Sequence, residues 1–379
     1  MANSREILLK LVRLAMGWER DFSLPEDINW QELLDMASEQ GVEAIALDGL
    51  DVYMSQNPGA VSPAKNPKTK PLMLAAIGRL NLTEFNNLQH LAALVELSEE
   101  LSKKDIPFMV MKGFACGQYY PNPKHRACGD IDIYPAERFE ESNEALKAAG
   151  VDVDPHYYRH SVSYIKDTMI ENHRILCDLR GPKKQTRELE AQMETEAKKS
   201  LENGKPVKIE DHEIAGAVFP SADFNALFLP WHVSAHFEFE RVTLRHLLDW
   251  ALFLVAEGKN IDVEKFREAK RKYTYGYSKF ADILTALAIK HFNMPTGGIP
   301  LGIIEDAHNF DIVLTDRVFD YMFVGQPRER DANIWKFRWN NTKRIWQERW
   351  KYKEIYGMGV FRFLLHKFRG VLFNVGGDE

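Results

Sequence analysis

The stretch MKGFACGQYYPNPKHRACGDIDIY, residues 111–134, carries the strongest chemical pattern in the sequence and also decides the fold prediction. The segment IPFMVMKG (106–113), which overlaps its start, is a continuous apolar run ending in glycine, and this is typical of a buried strand. At the other end, GDIDIY (129–134) alternates polar and apolar residues, which predicts a second strand. One or two helical turns are predicted between them, at 114–120.

The neighbouring segments extend these strands into a mixed unit of strands and helices. Residues 82–103 lack Gly and Pro, and their apolar residues recur at helical spacing, which predicts one long helix. AERFEESNEALKAAG (136–150) predicts an amphipathic helix closed by its terminal glycine. SVSYIK (161–166) and TMIENHRILCDLR (168–180) are typical of a β-hairpin. The apolar stripe of the long helix consists of Leu82, Phe85, Leu88, Leu91, Leu94 and Leu97.

Helices are predicted on both flanks of this unit. Short helices at 5–17 and 30–49 precede a polar, Pro-rich loop at 55–71. After about residue 215 the patterns are helical, at 221–237, 243–257, 262–273 and 278–292. We therefore predict an α+β protein in which a small mixed β-sheet core is flanked by N-terminal and C-terminal helical regions. The predicted bounds of the three regions are 1–80, 81–215 and 216–379.

Composition narrows the class of protein. Apolar residues make up 45% and charged residues 27% of the chain, which are ordinary values for a globular protein. Three cysteines argue against a disulfide framework. The N-terminal segment carries charges within its apolar stretch, so no signal peptide is expected, and no uncharged apolar run is long enough to predict a membrane span. We expect a cytoplasmic protein.

The C-terminal tail has a different charge from the rest of the chain. Residues 336–370 hold ten Lys and Arg against two Asp and Glu, although the whole chain has a net charge of −6. Four tryptophans also recur there at helical spacing. Packing of this tail as a helix is the preferred interpretation, and contact of residues 335–373 with nucleic acid or a membrane surface is the alternative. The four residues are Trp335, Trp339, Trp346 and Trp350.

Asp130 and Asp132 are the first candidate functional residues. Two positions apart on a strand, their side chains leave the same face, about 6–7 Å apart along the chain. Such carboxylates repel each other unless a cation or a proton lies between them, and hard oxygen ligands suit Mg²⁺. The alternative is a strand end whose two acids are merely solvated. The residues around them favour the metal site.

Those surrounding residues have the character of a phosphate site. Gly113 would allow the backbone to approach a phosphate closely, and the helix start after it offers free N–H groups. Lys112, Lys124 and Arg126 would neutralise a triphosphate. The sequence therefore predicts a site for a triphosphate group beside the aspartates.

These motifs resemble those of the uncharacterised bacterial nucleotidyltransferase family, which belongs to the DNA polymerase β-like nucleotidyltransferase superfamily. The resemblance begins with Met111-Lys-Gly, Tyr120-Pro, Arg126 and Gly129-Asp-Ile-Asp-Ile. It continues in Ile170-Glu-Asn-His, which looks like the family's next strand, and in the helical stretch FLPWHVSAHFEFERVTLRHLLDWALFL (228–254). The resemblance covers roughly residues 85–260. One departure is Gly113-Phe114, where the superfamily usually has Gly-Gly or Gly-Ser.

The resemblance implies a polymerase β-like core and a set of catalytic residues. Asp130 and Asp132 would hold two Mg²⁺ ions, and Glu171 would be the third carboxylate, binding one metal and helping to activate the acceptor hydroxyl. Asp178 is the rival for that third position, because LCDLR also reads as a strand. The expected donor is an NTP, with ATP as the first candidate.

Two further groups of residues on the helical side are open to more than one interpretation. His232 and His236 stand four apart on a predicted helix. They either pack at a helix interface or line the acceptor side of the cleft, and no third metal ligand has obvious spacing. Arg245 and Asp249, also four apart, are predicted to form a structural ion pair on their helix.

The function predicted from these patterns is Mg²⁺-dependent transfer of a nucleoside monophosphate from an NTP to an acceptor, with release of pyrophosphate. The acceptor is a small molecule, a protein or a sugar, and the sequence does not choose among them. One alternative is a nucleotide-binding module with weak catalysis. Another is an interaction protein that acts through its basic aromatic tail.

Overall fold

A computed structural model describes residues 3–20, 22–155, 158–177, 183–239, 242–324, 334–359 and 361. Within these residues the chain forms fourteen α-helices and seven β-strands, with helices at both ends and every strand between them. The helices are α1 Ser4–Ala15, α2 Trp30–Glu39, α3 Glu43–Gln56, α4 Lys70–Ser102, α5 Gly113–Gly117, α6 Phe139–Ala148, α7 Lys183–Asn203, α8 Ala222–Phe239, α9 Leu244–Glu257, α10 Val263–Lys272, α11 Tyr277–Phe292, α12 Leu301–His308, α13 Ile312–Phe323 and α14 Ile334–Gln347. The strands are β1 Phe108–Met111, β2 Ile131–Tyr134, β3 Val153–Asp154, β4 His160–Ile165, β5 Thr168–His173, β6 Pro206–Ile209 and β7 His212–Val218.

In the described part of the chain the strands form one mixed sheet, in the order β3-β4-β5-β2-β1-β7-β6. Strand β2 lies at its centre, antiparallel to β1 and parallel to β5. Strand β1 is also parallel to β7, which lies about a hundred residues further along the chain. The mixed α/β architecture predicted from the sequence is therefore present, and the sheet is larger than the two strands and the hairpin that the sequence indicates.

The two faces of the sheet are covered by different parts of the chain. Alternate residues of a strand point to opposite faces, and β1 shows this clearly. Phe108 and Val110 pack with residues of α4 and α6, whereas Met109 and Met111 join a larger buried cluster. That cluster also contains residues of the N-terminal helices and of helices α8 to α13. One hydrophobic core therefore runs through all three of the regions predicted from the sequence.

Helix α4 differs from its prediction in both length and orientation. It begins at Lys70, twelve residues before the predicted start, and Pro71 lies in its first turn, where a missing N–H is tolerated. Leu82, Phe85 and Leu88 are exposed, whereas the other three members of the predicted stripe are buried. The physical reason is that a three-residue step falls about 60° short of a full turn, so residues spaced by three wind around the helix. The prediction of one buried stripe was wrong.

The region after the hairpin also departs from the sequence patterns. Strand β5 ends at His173, and residues 174–177 are not part of any strand, so the predicted strand 168–180 is too long. Asp178 itself lies outside the described residues. Helix α7 and the antiparallel pair β6–β7 were not predicted, although they supply an edge of the sheet.

The tail packs in part against the helical region. Residues 345–358 contribute Ile345, Tyr352 and Ile355 to the main core, and Trp350 packs against Phe237 and Tyr321. Trp346 is half exposed, so the four tryptophans do not form one buried stripe. The side chains of Trp335 and Trp339 lie outside the described part of the chain.

Across the described ranges, none of the helices combines the length and the apolar character that crossing a bilayer requires.

Candidate active site

Three carboxylates meet near the centre of the sheet. The register of the parallel strands β2 and β5 places Asp132 directly opposite Glu171. Asp130 precedes β2, and one oxygen from each of the three carboxylates lies within 4.8 Å of the others. The structure therefore brings together the three residues that the sequence analysis assigned to metal binding.

Two basic side chains contact the buried member of this cluster. Lys112 Nζ lies 2.5 Å from Asp132 Oδ1, and His173 Nε2 lies 2.8 Å from the same oxygen. Asp132 Oδ2 is buried and has no hydrogen-bond partner among the described residues. A buried carboxylate oxygen of this kind is costly unless something binds it. We refer to Asp130, Asp132 and Glu171, together with Lys112, as the carboxylate site.

Two histidines border Glu171. His173 Nε2 lies 3.3 Å from Glu171 Oε2, and His160 Nε2 lies 3.7 Å from Glu171 Oε1. His160 faces His173 across the antiparallel pair β4–β5, and their ring centroids are 5.1 Å apart. The motif that carries the resemblance includes His173. The sequence analysis missed His160, because its position beside Glu171 depends on the pairing of β4 with β5, which no local motif indicates.

The surroundings of the site shift the pKa values of its carboxylates in different directions. Burial and the neighbouring Asp132 charge raise the pKa of Asp130 to about 6. Burial would also raise the pKa of Asp132, but Lys112 and His173 more than offset it and hold that pKa well below its usual range. Burial likewise opposes ionisation of Glu171, yet its hydrogen bond from His173 keeps the pKa below the usual value. At neutral pH the site therefore concentrates negative charge.

The backbone around Lys112 is unusual. Lys112 ends β1 with φ 44° and ψ −115°, a conformation that residues with a side chain rarely adopt. A Cβ atom on the next residue, Gly113, would lie 2.7 Å from Cys128 Sγ, so only glycine fits there without a shift. This tight turn aims the Lys112 side chain at Asp132.

The other two predicted phosphate ligands have different partners. Lys124 Nζ lies 2.6 Å from Glu210 Oε1 in a half-exposed ion pair. Arg126 is buried and donates to Asp249 through Nε at 2.8 Å and Nη2 at 2.7 Å. Tyr120 donates to the same carboxylate at 2.7 Å. The structure does not record a contact of Lys124 or Arg126 with the three carboxylates.

This arrangement overturns the predicted pair between Arg245 and Asp249. Asp249 is engaged by Arg126 and Tyr120, whereas Arg245 Nη1 donates to the carbonyl oxygen of Ala127 at 2.9 Å. Helical spacing allows a pair four residues apart, but a buried bidentate partner from another segment is the stronger interaction.

The helical side of the molecule holds a second cluster. His232 and His236 lie on α8, and their Nε2 atoms are 3.1 Å apart. His246, at the start of α9, completes a group in which one ring nitrogen of each residue lies within 4.8 Å of the others. The sequence analysis did not identify His246, because it lies on a different helix. We refer to these three residues as the histidine cluster.

Comparison with known families supplies the class of protein. The family model described as "Uncharacterised nucleotidyltransferase" matches residues 26–293. This range includes the carboxylate site and the histidine cluster, and it is wider than the resemblance found in the motifs. No curated protein and no solved structure matches the chain. Because the family model matches most of its length, the chain belongs to the family of uncharacterised nucleotidyltransferases.

Proposed function

We propose that this protein transfers a nucleoside monophosphate from an NTP to an acceptor hydroxyl and releases pyrophosphate, on a polymerase β-like core. The observation that carries the proposal is the register of β2 and β5, which gathers Asp130, Asp132 and Glu171 at one point. Family membership suggests the same chemistry. A cytoplasmic location stays a prediction.

The carboxylate site fits a divalent cation. Its three carboxylates supply the hard oxygen donors that Mg²⁺ prefers, and the unpartnered, buried Asp132 Oδ2 is an oxygen that a cation would satisfy. Asp130, Asp132 and Glu171 would hold the metal, with two Mg²⁺ ions as the proposed number. When bound, Mg²⁺ would stabilise negative charge on the phosphate oxygens during transfer.

The residues of the chain have separate tasks in this proposal. A bond forms between the acceptor oxygen and the α-phosphorus while the bond from that phosphorus to the pyrophosphate oxygen breaks. Glu171, held by His173 at 3.3 Å, takes the proton that the acceptor hydroxyl loses. Asp132, fully ionised and fixed by its neighbours, keeps its position without rearrangement.

Lys112 and Gly113 are the proposed contacts for the triphosphate. Lys112 carries its charge into the carboxylate site from the end of β1, and the backbone at Gly113 has no side chain to keep a phosphate away. Arg126 is buried against Asp249, and we therefore give it a positioning role in place of a phosphate contact. Lys124 is partly exposed and is proposed as a secondary contact, if it exchanges Glu210 for phosphate.

The proposal is tested by nucleotide binding and pyrophosphate release. The full chain is incubated with each NTP, Mg²⁺ and a cell extract, and calorimetry in the absence of extract measures NTP affinity. We expect Mg²⁺-dependent binding that disappears in the double variant Asp130→Asn with Asp132→Asn. The matched control is Asp167→Asn, an exposed residue in the turn between β4 and β5, which should behave as the parent does. Equal Mg²⁺-dependent NTP affinity in the double variant and the parent would contradict the metal assignment.

The alternative of a nucleotide-binding module with weak catalysis is favoured by one contact. Lys112 already neutralises Asp132 in the structure, so a nucleotide need not bring a metal with it. The same experiment separates the two functions, because NTP binding without Mg²⁺ and without pyrophosphate release is the result expected of a binding module.

A further inference from the structure

The histidine cluster is formed by side chains from two neighbouring helices, α8 and α9. His232 and His236 are one turn apart on α8, so they share a face of that helix. His246 lies in the first turn of α9 and approaches the pair from the other side, with its ring centroid 5.4 Å from that of His236. All three side chains are partly buried, so the cluster is shielded but still reached by solvent.

The surroundings of His232 and His246 disfavour the charged form of their imidazoles. Burial, Lys112 and the neighbouring rings lower the pKa of His232 well below its usual value, and burial and Arg245 do the same for His246. Phe228 stacks on His232 with ring centroids 5.6 Å apart, which fixes the plane of that ring. Neutral imidazoles with fixed orientations are the form in which histidine binds transition metals.

The spacing of the ring nitrogens suits a metal of tetrahedral preference. Nitrogens bound to one zinc ion at about 2.0–2.1 Å in tetrahedral geometry are about 3.3 Å apart. The observed distance between His232 Nε2 and His236 Nε2 is 3.1 Å, and the third imidazole is within 4.8 Å of both. We infer that His232, His236 and His246 form a binding site for a Zn²⁺-like transition metal ion, distinct from the carboxylate site.

Thr243 would hold the third ligand in place. His246 Nδ1 lies 3.1 Å from the backbone nitrogen of Thr243 and 3.0 Å from its Oγ1. Without a metal, Nδ1 accepts the backbone N–H, which leaves the ring proton on Nε2. A metal bound at Nε2 would require the ring proton on Nδ1. The hydrogen bond from the Thr243 backbone N–H would then be given up, and Nδ1–H would donate to Thr243 Oγ1 in its place. Such a donation is the usual support of a metal-binding histidine.

The three-histidine set leaves room for a further ligand. Zinc sites with three protein ligands keep a fourth position for water or substrate. Lys112 is near enough for its charge to act on His232 and His246, and it also contacts Asp132 of the carboxylate site. On the proposed function, the fourth position of the histidine site would bind a group of the acceptor, while the carboxylate site handles the NTP.

The simplest test uses Co²⁺ and Zn²⁺ with nucleotide omitted. The full chain is stripped of metal with a chelator and titrated with Co²⁺, whose visible absorption distinguishes tetrahedral from octahedral coordination, and with Zn²⁺ in a calorimeter. We expect one tetrahedral Co²⁺ per chain. Asp130→Asn with Asp132→Asn should retain this site at unchanged affinity, so the result does not depend on nucleotidyl transfer.

Three variants separate the site from accidental binding. His236→Asn should weaken Zn²⁺ binding by at least 100-fold, beyond the ~10–100-fold range typical of outer-shell changes. Thr243→Val removes the acceptor for Nδ1 and should weaken it by about 10–100-fold, whereas Thr243→Ser should restore it. His308→Ala, which removes an exposed histidine, should have no effect.

Thermal melting shows whether each variant is folded and whether Zn²⁺ binds to its folded state. Zn²⁺ should raise the melting temperature of the parent and of His308→Ala but not that of His236→Asn, because only a ligand of the folded state stabilises it. An octahedral Co²⁺ spectrum in the double variant Asp130→Asn with Asp132→Asn, which lacks two ligands of the carboxylate site, would overturn the inference. Equal Zn²⁺ affinity in the parent and His236→Asn would do the same. The 3.1 Å contact would then be a hydrogen bond between two neutral imidazoles and nothing more.

Discussion

The carboxylate site and the histidine cluster both gather three potential metal ligands, but they do so by different means. The register of a sheet places Asp132 opposite Glu171, and cationic side chains offset their charge. The spacing of one helix and the first turn of another place the three histidines, and burial lowers the pKa of His232 and of His246. The first site offers hard oxygen donors and the second offers nitrogen donors, so one protein presents ligands for two classes of metal.

The difference also shows what each kind of scaffold demands. Sheet register is set by a long ladder of backbone hydrogen bonds, so the carboxylates hold their positions against mutual repulsion. The helices need an additional contact with the sheet region. The buried ion pair between Arg126 and Asp249 supplies it for α9. Arg126 lies shortly before β2, and Asp249 lies one turn beyond His246 on α9.

The largest effect is expected from Glu171→Gln. This variant keeps the shape of the side chain but cannot accept the proton of the acceptor hydroxyl. We expect turnover to fall by about 10²–10⁴-fold with NTP affinity largely unchanged, measured by pyrophosphate release and calorimetry. Metal binding at the histidine cluster should not change.

The control for this variant is Asp167→Asn on the same hairpin, which should retain full turnover. If Glu171→Gln were silent and Asp178→Asn had the expected loss, the third carboxylate would have been assigned to the wrong residue.

The next effect concerns the buried ion pair between Arg126 and Asp249, which joins α9 to the segment before β2. Asp249→Asn leaves the Arg126 guanidinium buried without a counter-charge, which should lower the free energy of unfolding by about 3–5 kcal/mol. Urea denaturation measures this loss. The half-exposed pair Lys290–Asp316 is the control, and Asp316→Asn should cost less than about 1 kcal/mol. An equal loss in the free energy of unfolding for the two variants would show that the buried pair does not hold α9 in place.

Lys112→Met should produce opposite changes in two affinities. Removing the cation beside Asp132 should strengthen binding of Mg²⁺ alone, because the ion no longer competes with Nζ for Oδ1. It should weaken NTP binding by about tenfold, since a charge-assisted hydrogen bond of ~1.5 kcal/mol is lost. Calorimetry measures both, with Lys205→Met as control, because Lys205 is an exposed lysine that pairs with Glu257 and has no place in the proposed site. A parallel change in the two affinities would remove Lys112 from the proposed phosphate contacts.

The smallest effect is a pH-dependent gain in stability in Asp130→Asn. In the folded protein the pKa of Asp130 is raised from 3.8 to about 6, so between these values the folded state binds more protons than the unfolded state. The parent therefore loses stability as the pH rises through this window, and the variant does not. In chelator at about pH 8 we expect the variant to be more stable by about 1 kcal/mol, allowing for partial exposure, with no difference near pH 4.

Unfolding of the parent, Asp130→Asn and the exposed control Asp167→Asn at both pH values checks this expectation. A variant that is less stable than the parent at about pH 8 would mean that Asp130 is stabilised as a carboxylate in the metal-free protein.

The sequence predicts those features that depend on neighbours along the chain. The two-residue spacing of Asp130 and Asp132 was enough to indicate a pair of carboxylates on one strand face, whereas Glu171 was assigned only through the family resemblance. His246, His160 and the partner of Asp249 depend on packing between distant elements, so local periodicity gives no sign of them. Helix α4 illustrates the same limit, because the sequence shows its helical pattern but not which side faces the sheet.

The pairing of β1 with β7 has a consequence for how this protein is made. Strand β1 is wholly buried in the finished molecule, between β2 and β7. Its partner β2 follows within some twenty residues, but β7 ends only at Val218. At a synthesis rate of 5–20 residues per second, the β1 edge is open for roughly 5–20 s on the ribosome. An apolar strand edge open for that long favours pairing with other chains, so high-level expression should benefit from added chaperones.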